Sequence, residues 1–109
     1  MGKMLDLQNV LDDVRVIQLS VPNIVKRIGI FGSLTRGTYG MNSDIDVLVE
    51  YDMQLVSEME KFTQLCALCN NLQETLMTLY RRDVDVVQFS GDIRKVLDDA
   101  DVEKDVIWV

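Results

Sequence analysis

The sequence predicts an α/β domain, a small mixed twisted β-sheet with helices packed largely on one face, in the order α-β-α-β-α-β-α-β. Three observations predict it. An apolar stretch, Ile28-Gly29-Ile30-Phe31, stops at Gly32-Ser33 and gives way to helix-compatible residues, as a strand does on entering a tight turn at a helix start. Two runs, Ser43-Asp44-Ile45-Asp46-Val47-Leu48-Val49 and Arg82-Asp83-Val84-Asp85-Val86-Val87, alternate aspartate with mostly β-branched residues, the period of a strand with one polar and one apolar face. Two longer segments carry apolar residues three and four apart, the period of an amphipathic helix. With 109 residues the chain is expected to form one domain, 1–109, with room for one modest core.

In chain order, Met4, Leu7, Leu11, Val14, Ile17 and Val21 mark a packing helix that ends before Pro22. Val25 to Phe31 forms the first strand, with Lys26 and Arg27 at its entry. A short helix follows Gly32-Ser33, then a loop from Gly37 to Asn42, where Tyr39 is expected to pack. Ser43 to Tyr51 is the second strand, with Glu50 and Asp52 solvated beyond it. Ser57 and Glu60 read as a capping box opening a long helix. Its stripe is Met59, Phe62, Leu65, Cys69, Leu72, Leu76 and Leu79, and Asn70-Asn71 threatens to kink or split it. Arg81 and Arg82 close it, where cations suit the helix dipole; the other reading is that they face triphosphate or partner. The third strand runs from Asp83 to Phe89, Ser90-Gly91-Asp92 turns into a short helix from Ile93 to Asp99, and Val106 to Val109 suits a closing edge strand or a partner-facing tail, with Trp108 read as packing rather than as a binding anchor. The acidic residues Asp98, Asp99, Asp101, Glu103 and Asp105 read as a solvated turn, with docking of a basic partner as the other reading.

The chemistry is concentrated at two places. Free N–H groups at the Gly32-Ser33 turn can hold a phosphate. Asp44 and Asp46 leave the same face of their strand, and two carboxylates about 5 Å apart repel by roughly 3 kcal/mol at an effective dielectric near 20, so the pair implies a cation or a raised pKa. Hard oxygen ligands favour Mg²⁺, which binds through one or two carboxylates plus substrate phosphates. A third carboxylate is then expected, and the Arg82–Val87 run supplies it. Asp83 and Asp85 share a face, so spacing alone does not choose between them. Carboxylates on adjacent strands facing a glycine turn with Ser33 and Arg36 suit two-metal nucleotidyl transfer.

Gly32-Ser33-x-x-Arg36-Gly37, then Ser43-Asp44-x-Asp46, then Val84-Asp85-Val86-Val87, resembles the minimal nucleotidyltransferase family of the polymerase-beta-like superfamily, over nearly the whole chain. The resemblance implies that fold, picks Asp85 as the third carboxylate and leaves Asp83 peripheral. It implies Asp44, Asp46 and Asp85 as catalytic residues and ligands of two Mg²⁺ ions, with ATP as substrate. Gly32, Ser33, Arg36 and Ser43 become the nucleotide-binding residues, Arg36 either near the phosphates or bracing the loop through a salt bridge. Minimal members of this family pair with an RNase toxin built on the higher-eukaryote-and-prokaryote nucleotide-binding (HEPN) domain, and place AMP on a toxin tyrosine. By resemblance the chain is expected to be an ATP-dependent adenylyltransferase acting as antitoxin, in a homo- or hetero-oligomer. The alternatives are a catalytically idle antitoxin that only binds, and a small-molecule nucleotidyltransferase working as a homodimer.

Composition narrows the field. A formal charge of −7, with Lys and Arg scattered singly and in pairs, disfavours direct binding of nucleic acid. The absence of histidine leaves proton transfer to a carboxylate, with Asp85 the candidate, or to a metal-bound water. Cys66 and Cys69 form a C-x-x-C without further soft ligands, which reads as buried reduced thiols rather than a zinc or redox centre. No apolar run is long enough to span a membrane and no signal peptide is evident, so a cytoplasmic location is expected.

Overall fold

Two antiparallel strands, β1 (Val25–Phe31) and β2 (Ile45–Tyr51), form the middle of the sheet in the computed structural model, which describes residues 2–38, 40, 43–55, 58–91, 93 and 104–109. A third strand, β3 (Val84–Phe89), lies parallel to β2, and the two-residue β4 (Ile107–Trp108) lies antiparallel to β1, giving the order β3-β2-β1-β4. A parallel neighbour requires a crossover. The helix α3 (Met59–Tyr80) provides it.

Alternation along β2 decides what lies on each face. Ile45, Val47 and Val49 are fully buried against α3 and the first helix, α1 (Leu7–Gln18), in a core with Ile28 and Ile30 of β1, Leu65, Leu72 and Leu76 of α3, and Val10 and Val14 of α1. Each such aliphatic side chain contributes about 1.5–3 kcal/mol of transfer free energy. On the opposite face Leu48 joins Phe31, Phe89 and Ile93, with Trp108 packed on them, while Asp46 and Glu50 occupy the β2 positions on either side of Leu48 on that face. The helices therefore cover one face, as expected, and a small apolar cluster covers the far end of the other.

That cluster explains β4. Its register sets Trp108 opposite Gly29, where an added Cβ would come within 2.7 Å of the indole. The missing side chain makes room for the ring. Phe89 lies 6.2 Å away, centroid to centroid, and the Arg27 guanidinium sits 3.7 Å from the ring centroid. Trp108 is thus a packing residue.

Several local expectations are corrected. Helix α1 starts at Leu7 because Asp6 caps it, accepting from the Gln8 and Asn9 N–H groups at 2.8 and 3.3 Å. Met4 precedes the cap and is exposed, and Leu5 is buried instead. Helix α3 runs unbroken through Asn70 and Asn71, both exposed, so their amides meet water rather than the core. It begins after Glu58, which makes no side-chain cap bond; Ser57 lies outside the described residues. Met59 and Phe62 are exposed, the buried stripe starting one turn later at Leu65 and including Leu68 and Tyr80. The Tyr80 hydroxyl donates to Asp13 Oδ2 at 2.5 Å and ties α3 to α1. Glu50 is not solvated: its side chain is 12% exposed and accepts from Arg27 Nε at 2.6 Å.

Both cysteines are free thiols, and burial pushes the Cys69 thiol up to about 11, which makes it inert near neutral pH. The expected helix after Ile93 lies outside the described residues, as does Asp92. No described helix is long and apolar enough to cross a membrane.

Candidate active site

The site begins where β1 stops. Gly32 caps the four-residue helix α2 (Ser33–Arg36) with φ +80° and ψ −151°, a conformation essentially confined to glycine. A Cβ at Gly32 would also run into Oδ2 of Asp46. Two constraints therefore demand glycine, one in the backbone and one in the packing of the turn on a carboxylate. The Gly32 carbonyl accepts from Thr35 Oγ1 at 2.9 Å and from the Arg36 N–H at 3.2 Å. Gly37, in the left-handed region at φ +74°, ends the helix, and its N–H and that of Thr38 bond to the Ser33 carbonyl. The N–H groups of Ser33, Leu34 and Thr35 open the helix, where an α-helix supplies no acceptor of its own.

The carboxylates come together through register. Antiparallel pairing sets Asp46 opposite Phe31, the residue before Gly32, and parallel pairing sets Asp46 opposite Asp85. Asp46 is therefore the joint between the glycine turn and β3. Its half-buried carboxyl is pushed up to about 6, first by burial, then by the charges of Asp85 and Asp44, with the Arg36 guanidinium opposing. Asp44 and Asp85 are exposed, and Asp44 lies one residue before the ladder begins, so β2 starts later than the expected Ser43. Asp83 is exposed as well and contributes a backbone carbonyl, which accepts from the Ile45 N–H at 3.0 Å.

Among the described residues no three His, Cys, Asp or Glu side chains converge as a ready-made cage for one ion. The donors nevertheless fit a hard divalent cation: they are carboxylates, one of them raised first by burial and then by its like-charged neighbours, and Mg²⁺ takes its other ligands from phosphates and water. A cleft of about 510 Å³ runs from Phe31 and Asp46 past Asp85 along β3. A second, of about 630 Å³, opens beside Ser43 and Asp44 against the end of α3.

The remaining sequence candidates divide. Ser33 stands half-buried at the first position of α2. Ser43 turns its hydroxyl oxygen to the Gly40 N–H at 2.8 Å, closing the turn before Asp44. Arg36 is exposed and pairs at 3.7 Å with Asp105, the described member of the acidic run, while its charge still reaches Asp46. Asp98, Asp99, Asp101, Glu103 and Tyr39 lie outside the described residues. Arg82, read from the sequence as a helix-end cation or as facing triphosphate or partner, donates its Nη1 to the carbonyls of Gly40 at 2.5 Å and Ser43 at 3.2 Å. Its one signal in the sequence is its place just before the aspartates of β3.

This arrangement can be set beside known proteins. A family model described as Polymerase beta, Nucleotidyltransferase matches residues 15–108. Among solved structures, a candidate nucleotidyltransferase of Sulfolobus solfataricus is 26% identical with a TM-score of 0.51, covering 94% of this chain and 77% of its own. A toxin-antitoxin crystallised with AMP-PNP is 25% identical with a TM-score of 0.50, covering 73% of this chain and 56% of its own. A mutant of the toxin-antitoxin MntA-HpeT, 22% identical with a TM-score of 0.51, covers 74% and 57% and shows the shared fold alone. The chain thus spans little more than half the length of the two toxin-antitoxin chains. No curated protein matches. Because the family model covers both the glycine turn and all the paired strands, the chain belongs to the polymerase beta nucleotidyltransferase family.

Proposed function

We propose that the chain transfers AMP from ATP, with Mg²⁺, to a hydroxyl, and that the hydroxyl is a tyrosine of a HEPN-type RNase toxin that it thereby neutralises. One observation carries the transfer chemistry: Asp46, paired across the sheet with Asp85, lies directly against a turn that tolerates only glycine. A negatively charged centre beside the N–H groups that open a helix suits a triphosphate and its cations together. The toxin partner is supported by the 25%-identical neighbour, described as a toxin-antitoxin with AMP-PNP. The acidic charge of −7 is compatible with a basic RNA-cutting partner.

In this reading Gly32 lets the backbone approach the β and γ phosphates, and Ser33 contacts them. Arg36 leaves Asp105 or stays to brace the loop. Asp44, Asp46 and Asp85 would hold Mg²⁺, which when bound neutralises their crowded charge and polarises the α-phosphate. Asp85, exposed at the rim of the cleft, accepts the proton of the acceptor hydroxyl while its oxygen bonds to the α-phosphorus and pyrophosphate leaves. With no histidine in the chain, a carboxylate is the natural acceptor of that proton.

The test is incubation with α-labelled ATP and Mg²⁺, with and without the product of the adjacent gene, comparing wild type with Asp44→Asn/Asp46→Asn. Label on the partner that falls by about 100-fold or more in the variant is the expected outcome. A tight complex without label would replace this reading by antitoxin action through binding alone, and label on small hydroxyl compounds by small-molecule transfer.

A further inference from the structure

We infer that Arg82 is a positioning residue of this site: its guanidinium fixes the turn that presents Asp44. The inference rests on the nucleotidyl-transfer reading above. Arg82 sits between α3 and β3, yet it reaches a turn 39 to 42 positions earlier in the chain. There one nitrogen, Nη1, donates to two carbonyls, those of Gly40 and Ser43, at 2.5 and 3.2 Å. The Ser43 carbonyl belongs to the peptide plane that runs through the Asp44 nitrogen to its Cα, so orienting it orients the backbone of Asp44.

The turn is also closed from within, by the Ser43 N–H on the Gly40 carbonyl at 3.2 Å and the Gly40 N–H on Ser43 Oγ at 2.8 Å. On the far side of Asp44, the Ile45 N–H is held by the Asp83 carbonyl at 3.0 Å. Consecutive residues, Arg82 and Asp83, therefore anchor both neighbours of Asp44. This matters because Asp44 itself is exposed and precedes the β2 ladder, so neither burial nor strand pairing holds it. Residues that would hold a cation, as Asp44 and Asp46 would, need their carboxylates within about 0.5 Å of their working positions. A planar guanidinium can serve two carbonyls with its charge delocalised between them, whereas an ammonium is a compact point charge on a flexible stem. Lysine at this position would keep the charge and lose the geometry.

The test compares Arg82→Lys and Arg82→Met with wild type and with Arg81→Gly, whose exposed side chain makes neither bond. Mn²⁺ binding in the presence of ATP is followed by electron paramagnetic resonance, alongside AMP transfer and thermal melting. Both Arg82 variants are expected to melt close to wild type, to bind Mn²⁺ about tenfold more weakly and to lose about tenfold in kcat, with KM for ATP moving less than threefold. Arg81→Gly should leave binding and transfer unchanged. Full Mn²⁺ affinity in Arg82→Lys would mean that charge alone matters and would overturn the inference. So would collapse of the fold in both Arg82 variants, or a wild type that binds no Mn²⁺. Wild-type Mn²⁺ binding that responds to Arg82, with no AMP transfer to any acceptor, would sink the functional reading and leave Arg82 as the residue that positions Asp44.

Discussion

At the scale of single residues, Asp46 shows how a site can weaken the protein that carries it. Its carboxyl titrates near 6 in the folded chain against an ordinary value of 3.8. A group raised on folding contributes its stability in full below the unfolded value and loses it as pH rises through the folded one. Ionised Asp46 is therefore a cost at neutral pH. Asp46→Asn, permanently uncharged, is expected to be more stable than wild type at pH 7.5 in EDTA, and the gap should close by pH 4. Two units at 1.36 kcal/mol each set a ceiling of about 3 kcal/mol, and screening at this half-exposed position reduces the expected gain to about 1 kcal/mol. Urea unfolding at the two pH values checks it. Added Mg²⁺ should narrow the gap by stabilising wild type alone, since a ligand of the native state adds to its stability.

Residues with a local signature were legible in the sequence and those with a distant partner were not. Gly32 announces itself by ending an apolar run, and Asp44 and Asp46 by their spacing. Arg82 has no such mark, because its partners, Gly40 and Ser43, are backbone carbonyls about forty positions away and any residue type presents the same group.

At the scale of elements, periodicity found α1, α3 and the first three strands, β1 at its observed bounds of Val25–Phe31, but misjudged where α1, β2 and α3 begin. Met4, Met59 and Phe62 fit the helical spacing and yet are exposed, since spacing reports which face points inward and not how far the neighbouring layer extends. Asn70 and Asn71 are poor helix formers, but a stripe of Leu65, Leu68, Leu72 and Leu76 packed on the sheet outweighs a propensity penalty below about 1 kcal/mol per residue. The end of α3 offers a test. Arg81 takes the left-handed conformation at φ 53° and ψ 46°, where its N–H bonds the Met77 carbonyl at 2.8 Å. That geometry costs a non-glycine residue roughly 1 kcal/mol, and the Arg81 side chain is exposed, so Arg81→Gly should raise stability by about 0.5–1 kcal/mol. A urea midpoint that fell instead would show that the arginine side chain contributes a contact there.

At the scale of the whole molecule, the edge strand β4 depends on one ring. It has two residues, and Trp108 seats it over Gly29, against Phe89 and beneath the Arg27 guanidinium. Two residues of ladder would not hold an edge strand without that packing. Trp108→Ala is expected to lose about 2–3 kcal/mol, less than a fully buried tryptophan because the ring is half-exposed, and to release the Ile30 amide, on the β4 side of β1, to hydrogen exchange while the Gly29 amide stays paired with β2. Circular dichroism in urea gives the first number, because the substitution removes the chain's one tryptophan.

The sequence by itself determined what depends on neighbours along the chain: the two-residue period of the strands, the stripes of the helices, the glycine turn after β1 and the aspartates that share a strand face. Tertiary structure alone decided what depends on register. Asp83 and Asp85 are equivalent by period, and it is the pairing of β3 on β2 that sets Asp85, and not Asp83, opposite Asp46. The physical reason is that a strand's alternation assigns a side chain to a face, whereas its position along a neighbour follows from the helix that carries the chain across and from the core that fixes where it lands.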